Sequence, residues 1–162
     1  MTKVTTSHHT VVVRRSYDFP VSEVFRAWQD PKALAIWHGP GDHTWTMKVL
    51  EHDFIVGGRR RFVFGASGEP PYHEDCRYED IVPEQRICYA MTVAHKDVRI
   101  TCSMVTIEFH AKGGKTDLVA TDQLAILDGG DTAADRERGW GETLGKLAPY
   151  LSANASSRSA AE

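Results

Sequence analysis

The sequence predicts an α+β fold in which one seven-stranded antiparallel sheet curves around a long C-terminal helix, with a cavity between them. Three observations predict it. Six consecutive strand-like stretches lie between residues 45 and 127, separated by short Gly- and Pro-rich turns, the spacing of an antiparallel meander. A β-branched and aromatic run at 11–19 supplies a seventh strand. The last periodic stretch, 132–151, is helical: Trp140, Leu144, Leu147 and Leu151 form one apolar stripe. At 1.5 Å per residue it would be on the order of 27 Å long, enough to cross a curved sheet.

The elements follow in order. Val11, Val12 and Val13 open the first strand. Pro20 then starts a short amphipathic helix with Val21, Val24, Phe25 and Trp28 at helical spacing, since a first-turn proline forfeits no helical bond. Asp30-Pro31 is a second start signal, an acid N-cap followed by proline. The helix it opens carries Leu34 and Trp37 and stops at Gly39-Pro40-Gly41. Strands are then expected at 45–54, 59–64, 72–82, 86–93, 98–110 and 116–127, with Gly113-Gly114 as a hairpin turn. One sheet cannot bury its concave face alone, and only the 132–151 helix is large enough to cover it. This is a helix-grip arrangement, and a straight rod on a curved sheet leaves space between the two. The expected division is a flexible lead at 1–9, one domain at 10–151 and a small, polar, disordered tail at 152–162.

Composition narrows the function classes. The chain has 162 residues, 41% hydrophobic and 25% charged, with 19 Lys+Arg against 22 Asp+Glu and a net charge of −3. That is ordinary globular composition, without the cationic footprint of a nucleic-acid binder. No stretch approaches a membrane span and the first ten residues hold no export signal, so a cytoplasmic protein is expected. Cys76, Cys88 and Cys102 form no Cys-x-x-Cys pair and read as small hydrophobes rather than a disulfide framework. The eight histidines are scattered, without metal-ligand spacing. The phosphate-cradling glycine motifs are missing too. Neither a metal nor a cofactor is expected.

Hairpin register lists what faces inward. If 65–71 is a turn, Phe62 and Phe64 share a face with Glu74, Cys76 and Tyr78. Ile87, Tyr89 and Met91 continue that face, as do Met47, Val49, Glu51, Asp53 and Arg60. Val105, Ile107 and Phe109 oppose Asp122, Ala120 and Leu118. A single bulge would flip part of this set. Arg60 is either the group that meets an anionic or carbonyl ligand at the sheet end, or a solvated charge paired to Asp53 or Glu51. Asp122, mid-strand, is either a buried general base or a water-facing residue at a bulge. Asp122 and Arg60 are the catalytic candidates. His38, after Trp37 at the helix break, is a candidate for the pocket mouth, although a surface position is the commoner outcome. His8 and His9 fall in the expected flexible lead.

The run from Phe19-Pro20-Val21 through Ala27-Trp28 resembles the opening of the START-like, birch-pollen-allergen-like (SRPBCC) superfamily. Asp30-Pro31 with Leu34, then Trp37-His38-Gly39-Pro40, is similar to its Aha-type branch, named for the C-terminal domain of the activator of heat-shock-protein-90 ATPase. Gly57-Gly58, Tyr78-Glu79-Asp80-Ile81-Val82-Pro83-Glu84, Gly113-Gly114-Lys115-Thr116, Leu127-Asp128-Gly129, Arg136 and Gly139-Trp140 extend the likeness across 10–151. The resemblance implies the helix-grip fold and a superfamily of lipid and hormone carriers and polyketide cyclases. The named activator has an additional N-terminal domain for which this chain has no length, which argues against chaperone contact. Fold alone does not set function.

The leading expectation is therefore a module holding a hydrophobic or amphipathic small molecule. Trp37, His38, Arg60, Phe62, Phe64 and Cys76 are its expected ligand-binding residues, with Tyr78, Tyr89, Met91, Trp140 and Leu144. The alternatives are a cyclase- or hydratase-type enzyme and an interaction protein, chaperone-related or a homodimer.

Overall fold

The structure, a computed structural model, describes residues 3–161. The chain runs β1 (Thr6–Tyr17), α1 (Val21–Gln29), α2 (Pro31–Trp37), β2 (Trp45–His52), β3 (Arg59–Ala66), β4 (Tyr72–Val82), β5 (Arg86–His95), β6 (Val98–Lys112), β7 (Lys115–Leu127), α3 (Ala133–Gly145) and α4 (Leu147–Ser159). The seven strands form one antiparallel sheet in the order β1-β7-β6-β5-β4-β3-β2. The expected helix-grip architecture is present.

The local chemistry explains the elements. Asp30 caps α2 by accepting from the Lys32 amide at 2.9 Å, with Pro31 in the first helical position. Trp28 of α1 and Trp37 of α2 meet edge to face, centroids 4.9 Å apart. The Trp37 indole donates to the Ala27 carbonyl at 2.9 Å. Both rings are fully buried, and each contributes about 1.5–3 kcal/mol of burial. Together they set the two short helices as a V against one end of the sheet.

Two boundaries differ from expectation. The first strand begins at Thr6, so His8 and His9 are strand residues paired with Ala125 and Leu124 rather than part of a flexible lead. Thr5 and Asp128 exchange bonds of 2.8 and 2.9 Å just beyond the pairing. A full-length β7 templates the strand through its backbone, so the exposed side chains of Thr6–His9 need not be apolar. The second difference lies at the C-terminus. The long helix is divided at Lys146, because Pro149 has no N–H and its ring crowds the carbonyl of Gly145. The Lys146 amide turns back to Thr143 instead, at 3.2 Å. Beyond Leu151, read as disordered, α4 continues to Ser159. Ser156, Ser157 and Ser159 donate to carbonyls four residues back at 3.1–3.2 Å. Arg158 meets Glu23 of α1 at 3.6 Å.

The inward face follows the expected alternation, with one correction. A bulge between Val49 and Glu51 turns Glu51 to the outer surface opposite Arg61, and Asp53 is exposed. His52 takes the inward place instead, its Nε2 2.9 Å from the Gln29 carbonyl.

What holds α3 over the sheet is polar. Asp122 of β7 is fully buried. Its Oδ2 accepts from Arg136 Nη1 at 3.2 Å and from Trp140 Nε1 at 3.0 Å. Arg136 also donates to Thr101 Oγ1 at 2.7 Å and to Asp131 Oδ2 at 3.0 and 3.1 Å. Arg136 and Trp140 are four residues apart, so one face of α3 presents both to one carboxylate. Tyr17 closes the far end by donating to the Leu144 carbonyl at 2.8 Å.

Removing one member of a buried pair strands the other charge. Asp122→Ala should therefore cost about 3–5 kcal/mol in urea unfolding. A midpoint within experimental error of the parent would show that the network does not anchor α3.

Candidate functional site

A cavity of about 610 Å³ lies between the sheet and α3, within the range of small-molecule sites. Its sheet wall comes from Trp45, Phe64, Tyr72, Glu74, Met91 and Val93. Arg136, Trp140 and Thr143 of α3 face them. His38 and the turn that follows it close one side, and Asp131 and Thr132, before α3, close another.

Four of the expected ligand-binding residues reach this space: His38, Phe64, Met91 and Trp140. The other seven do not. Trp37, Phe62, Cys76, Tyr78, Tyr89 and Leu144 are buried core, under α1, α2 and the C-terminal part of α3. Arg60 is 1% exposed and lies among them, so it is not a free cation at a solvated sheet end. Its partner is neither Asp53 nor Glu51. Arg60 Nη2 donates to Glu74 Oε1 at 2.9 Å and to Cys76 Sγ at 3.3 Å. The guanidinium carbon sits 4.4 Å from the Tyr89 ring centroid and 4.8 Å from that of Phe62, close enough for cation–π attraction. Burial pushes the Cys76 thiol and the Tyr89 phenol well up and Tyr78 to about 12. Glu74 is thus the only carboxylate bonded to Arg60 among the described residues.

Asp122 is likewise not a general base poised in the cavity, nor at a water-facing bulge. It is committed to Arg136 and Trp140 beneath the cavity surface.

Glu74, Trp45 and Tyr72 were missed as site residues. Alternation places Glu74 on the inward face, as the sequence reading has it, and could have found the other two. Trp45 shares parity with Met47 and Val49, Tyr72 stands opposite Phe64, and Glu74 stands opposite Phe62. Trp45, Phe64 and Tyr72 form a row of near-parallel rings, with centroids 5.5–6.5 Å apart and planes within 24°. Gly41 makes room for that row. At φ +88° it adopts a conformation that favours glycine, and an added Cβ would lie 2.3 Å from Trp45 Cγ.

His38 is the least expected feature. It caps the end of α2 and is 6% exposed, not a surface residue. Its ring packs against Trp37 and Phe62 with centroids 5.1 Å away. Neither ring nitrogen has a hydrogen-bond partner. Burial, then the nearby positive charges of Arg60 and Lys146, holds its pKa well below 6.5. The imidazole is therefore neutral at pH 7, with one donor and one acceptor unused. No cluster of three or more metal-ligating His, Cys, Asp or Glu occurs among the described residues. The arrangement offers an aromatic wall and a carboxylate around one space, bordered by an imidazole whose nitrogens are sealed and unpartnered.

Two outcomes follow for stability. Glu74→Ala leaves Arg60 buried without its counter-ion and should cost about 3–5 kcal/mol, whereas Glu74→Gln keeps an acceptor and should cost less. Equal denaturation midpoints for the parent and Glu74→Ala would contradict the pairing. The second outcome concerns pH. Unfolded, His38 takes up a proton near pH 6.5, and folded it resists until lower pH. Its contribution is thus complete above about pH 6.5 and falls away below it, by at most about 1.4 kcal/mol per pH unit. His52, also held low chiefly by burial, adds in the same direction. Melting temperature should drop from pH 7 to pH 5, and His38→Phe should flatten that drop. Parallel curves for the two proteins would place His38 in water.

The comparisons with known proteins agree with this architecture. Residues 18–152 match the family model described as activator of Hsp90 ATPase homolog 1-like protein. An uncharacterized protein from Rhizobium leguminosarum is 32% identical, with a TM-score of 0.84 over 93% of this chain and 99% of that one. Mll3558 from Rhizobium loti is also 32% identical, with a TM-score of 0.80 over 90% and 99%. DynU16, from the dynemicin biosynthetic locus, shares the fold at 22% identity and a TM-score of 0.65, over 88% of this chain and 47% of that one. No curated protein matches the chain. The motifs from Phe19 to Trp140 and the matched span lead to one assignment: the chain belongs to the activator of Hsp90 ATPase homolog 1-like family, a branch of the START-like superfamily.

Proposed function

We propose that this protein holds a hydrophobic or amphipathic small molecule in the cavity between sheet and α3. The observation that carries the reading is the cavity itself, about 610 Å³ with an aromatic wall and a buried imidazole lacking partners. A space that size filled only by water would leave apolar rings solvated, which a bound apolar body relieves. The cytoplasm is the proposed setting, supported by three free cysteines. No helix among the described residues is long and apolar enough to cross a membrane.

An acid–base enzyme of cyclase or hydratase type is the second reading, and its residues change. Glu74 and His38 line the cavity, whereas Asp122 and Arg60 do not. Both border Phe62: His38 packs on its ring, and Glu74 is its partner across the β3–β4 ladder. A carboxylate and a neutral imidazole are the groups that proton transfer requires.

Native mass spectrometry of the purified protein, with a thermal-shift panel of long-chain alcohols, lysolipids and polycyclic aromatics, tests the binding reading. A ligand present at about a hundred times its Kd should stabilise the fold by about 2.7 kcal/mol. If nothing co-purifies and no panel member raises Tm, the cavity is not a binding site.

A further inference from the structure

The polar groups around the cavity say more about its occupant than its size does. Five carboxylates line it: Asp42, Glu74, Asp131, Asp135 and Glu142. Only two guanidinium groups do, and both are engaged. Arg136 spends its nitrogens on Asp122, Asp131 and Thr101. Arg138 lies 2.7 Å from Asp135 and 3.9 Å from Glu142. Arg60 is behind the wall and tied to Glu74, and the nearby Lys146 ammonium donates to the Gly41 carbonyl at 3.4 Å. Among the described residues, the cavity holds no uncommitted cation for an anionic ligand.

The inner end, by contrast, has an unused acceptor. Glu74 Oε1 takes both Arg60 and Cys76, leaving Oε2 as an acceptor without a partner among the described residues. His38 also borders this space, but both of its ring nitrogens are fully buried and closed to it. An apolar occupant that took water away from Oε2 without replacing its hydrogen bond would leave it unpaired at a cost, so a head that donates to it is favoured. A carboxylate oxygen open to the cavity complements a head that gives a proton into a hydrogen bond. An ionised carboxylate or a phosphodiester head has no proton to give, and any carboxylate or phosphate would add charge to an already acidic lining.

Resting on the binding reading above, we infer that the occupant is an apolar molecule whose polar head donates a hydrogen bond, a hydroxyl or a protonated amine, and that carboxylate- and phosphate-headed amphiphiles such as fatty acids are excluded. It also leaves Arg60 out of ligand recognition, against one of its two sequence readings, because its counter-ion is Glu74.

The test holds the apolar body constant and changes the head. The probes are 9-anthracenemethanol, 9-(aminomethyl)anthracene, 9-(methoxymethyl)anthracene and 9-anthracenecarboxylate, titrated at pH 7 with tryptophan fluorescence as readout. The alcohol or the amine should bind about tenfold more tightly than both the ether and the carboxylate, the change expected for one buried hydrogen bond. The ranking of alcohol and amine decides which donor the site prefers. In Glu74→Gln, whose amide oxygen can keep the Arg60 bond while its N–H₂ replaces the open acceptor, the amine should lose its advantage over the ether, and a melting curve on the same sample establishes that the variant is folded. Carboxylate binding equal to or tighter than the alcohol would overturn the inference while leaving a binding protein in place. So would equal affinities across all four probes. Failure of every anthracene and of the whole thermal-shift panel would remove the binding reading, and the inference with it.

Discussion

The Asp122–Arg136 pair is the interaction on which the rest of the structure depends. A seven-stranded sheet and a helix offer many apolar ways to meet, and hydrophobic burial does not choose among them because it is non-directional. A fully buried carboxylate does choose. It must be met by a cation and further donors, and Arg136 and Trp140 meet it from one face of α3. That requirement sets the position of α3 along β7. With α3 held there by Arg136, and by Tyr17 at the Leu144 carbonyl, the space between Trp140 and the strands β4 and β5 persists as a cavity.

A second buried charge shapes the inner wall. Arg60 lies among Phe62, Tyr78 and Tyr89 with Glu74 as its counter-ion. The pair holds Glu74, itself only 9% exposed, at the boundary between solid core and open cavity. On one side of that boundary the aromatic face is closed by α1 and α2. On the other it opens toward α3 and becomes a site. One amphipathic sheet face therefore serves two purposes along its length, with the ion pair at the transition and the neutral His38 imidazole beside it.

Much of the fold was legible in the residues. Period-2 alternation located every strand after Trp45 to within a few positions, and Asp30-Pro31 located α2. The errors have separate physical causes. Pro149, inside an otherwise helical stripe, divides the C-terminal helix because it lacks a backbone donor. The polar stretches Thr6–His9 and Ser152–Ser159 are ordered by backbone bonding, which side-chain polarity does not report. The bulge after Val49 sends Glu51 outward and His52 inward, a change of parity that no count of hydrophobic residues reveals. The site was less legible than the fold. Alternation placed Phe62, Tyr78 and Tyr89 on the correct face, but it carries no information on which end of that face a helix covers.

By itself, the sequence determined the strand and helix periods, the inward face of the sheet, the family motifs from Phe19 to Trp140, and the presence of two charges, Arg60 and Asp122, on an apolar surface. These are local properties, set by side-chain spacing along one chain. Only the tertiary structure decided that Arg60 pairs with Glu74, that Asp122 anchors α3, and that His38 stands unpartnered at a cavity between them. Pairing is a relation between residues as far apart as Asp122 and Arg136, and the solvation of a charge depends on which elements close over it. The anion that Arg60 meets is one the chain supplies from its own next strand.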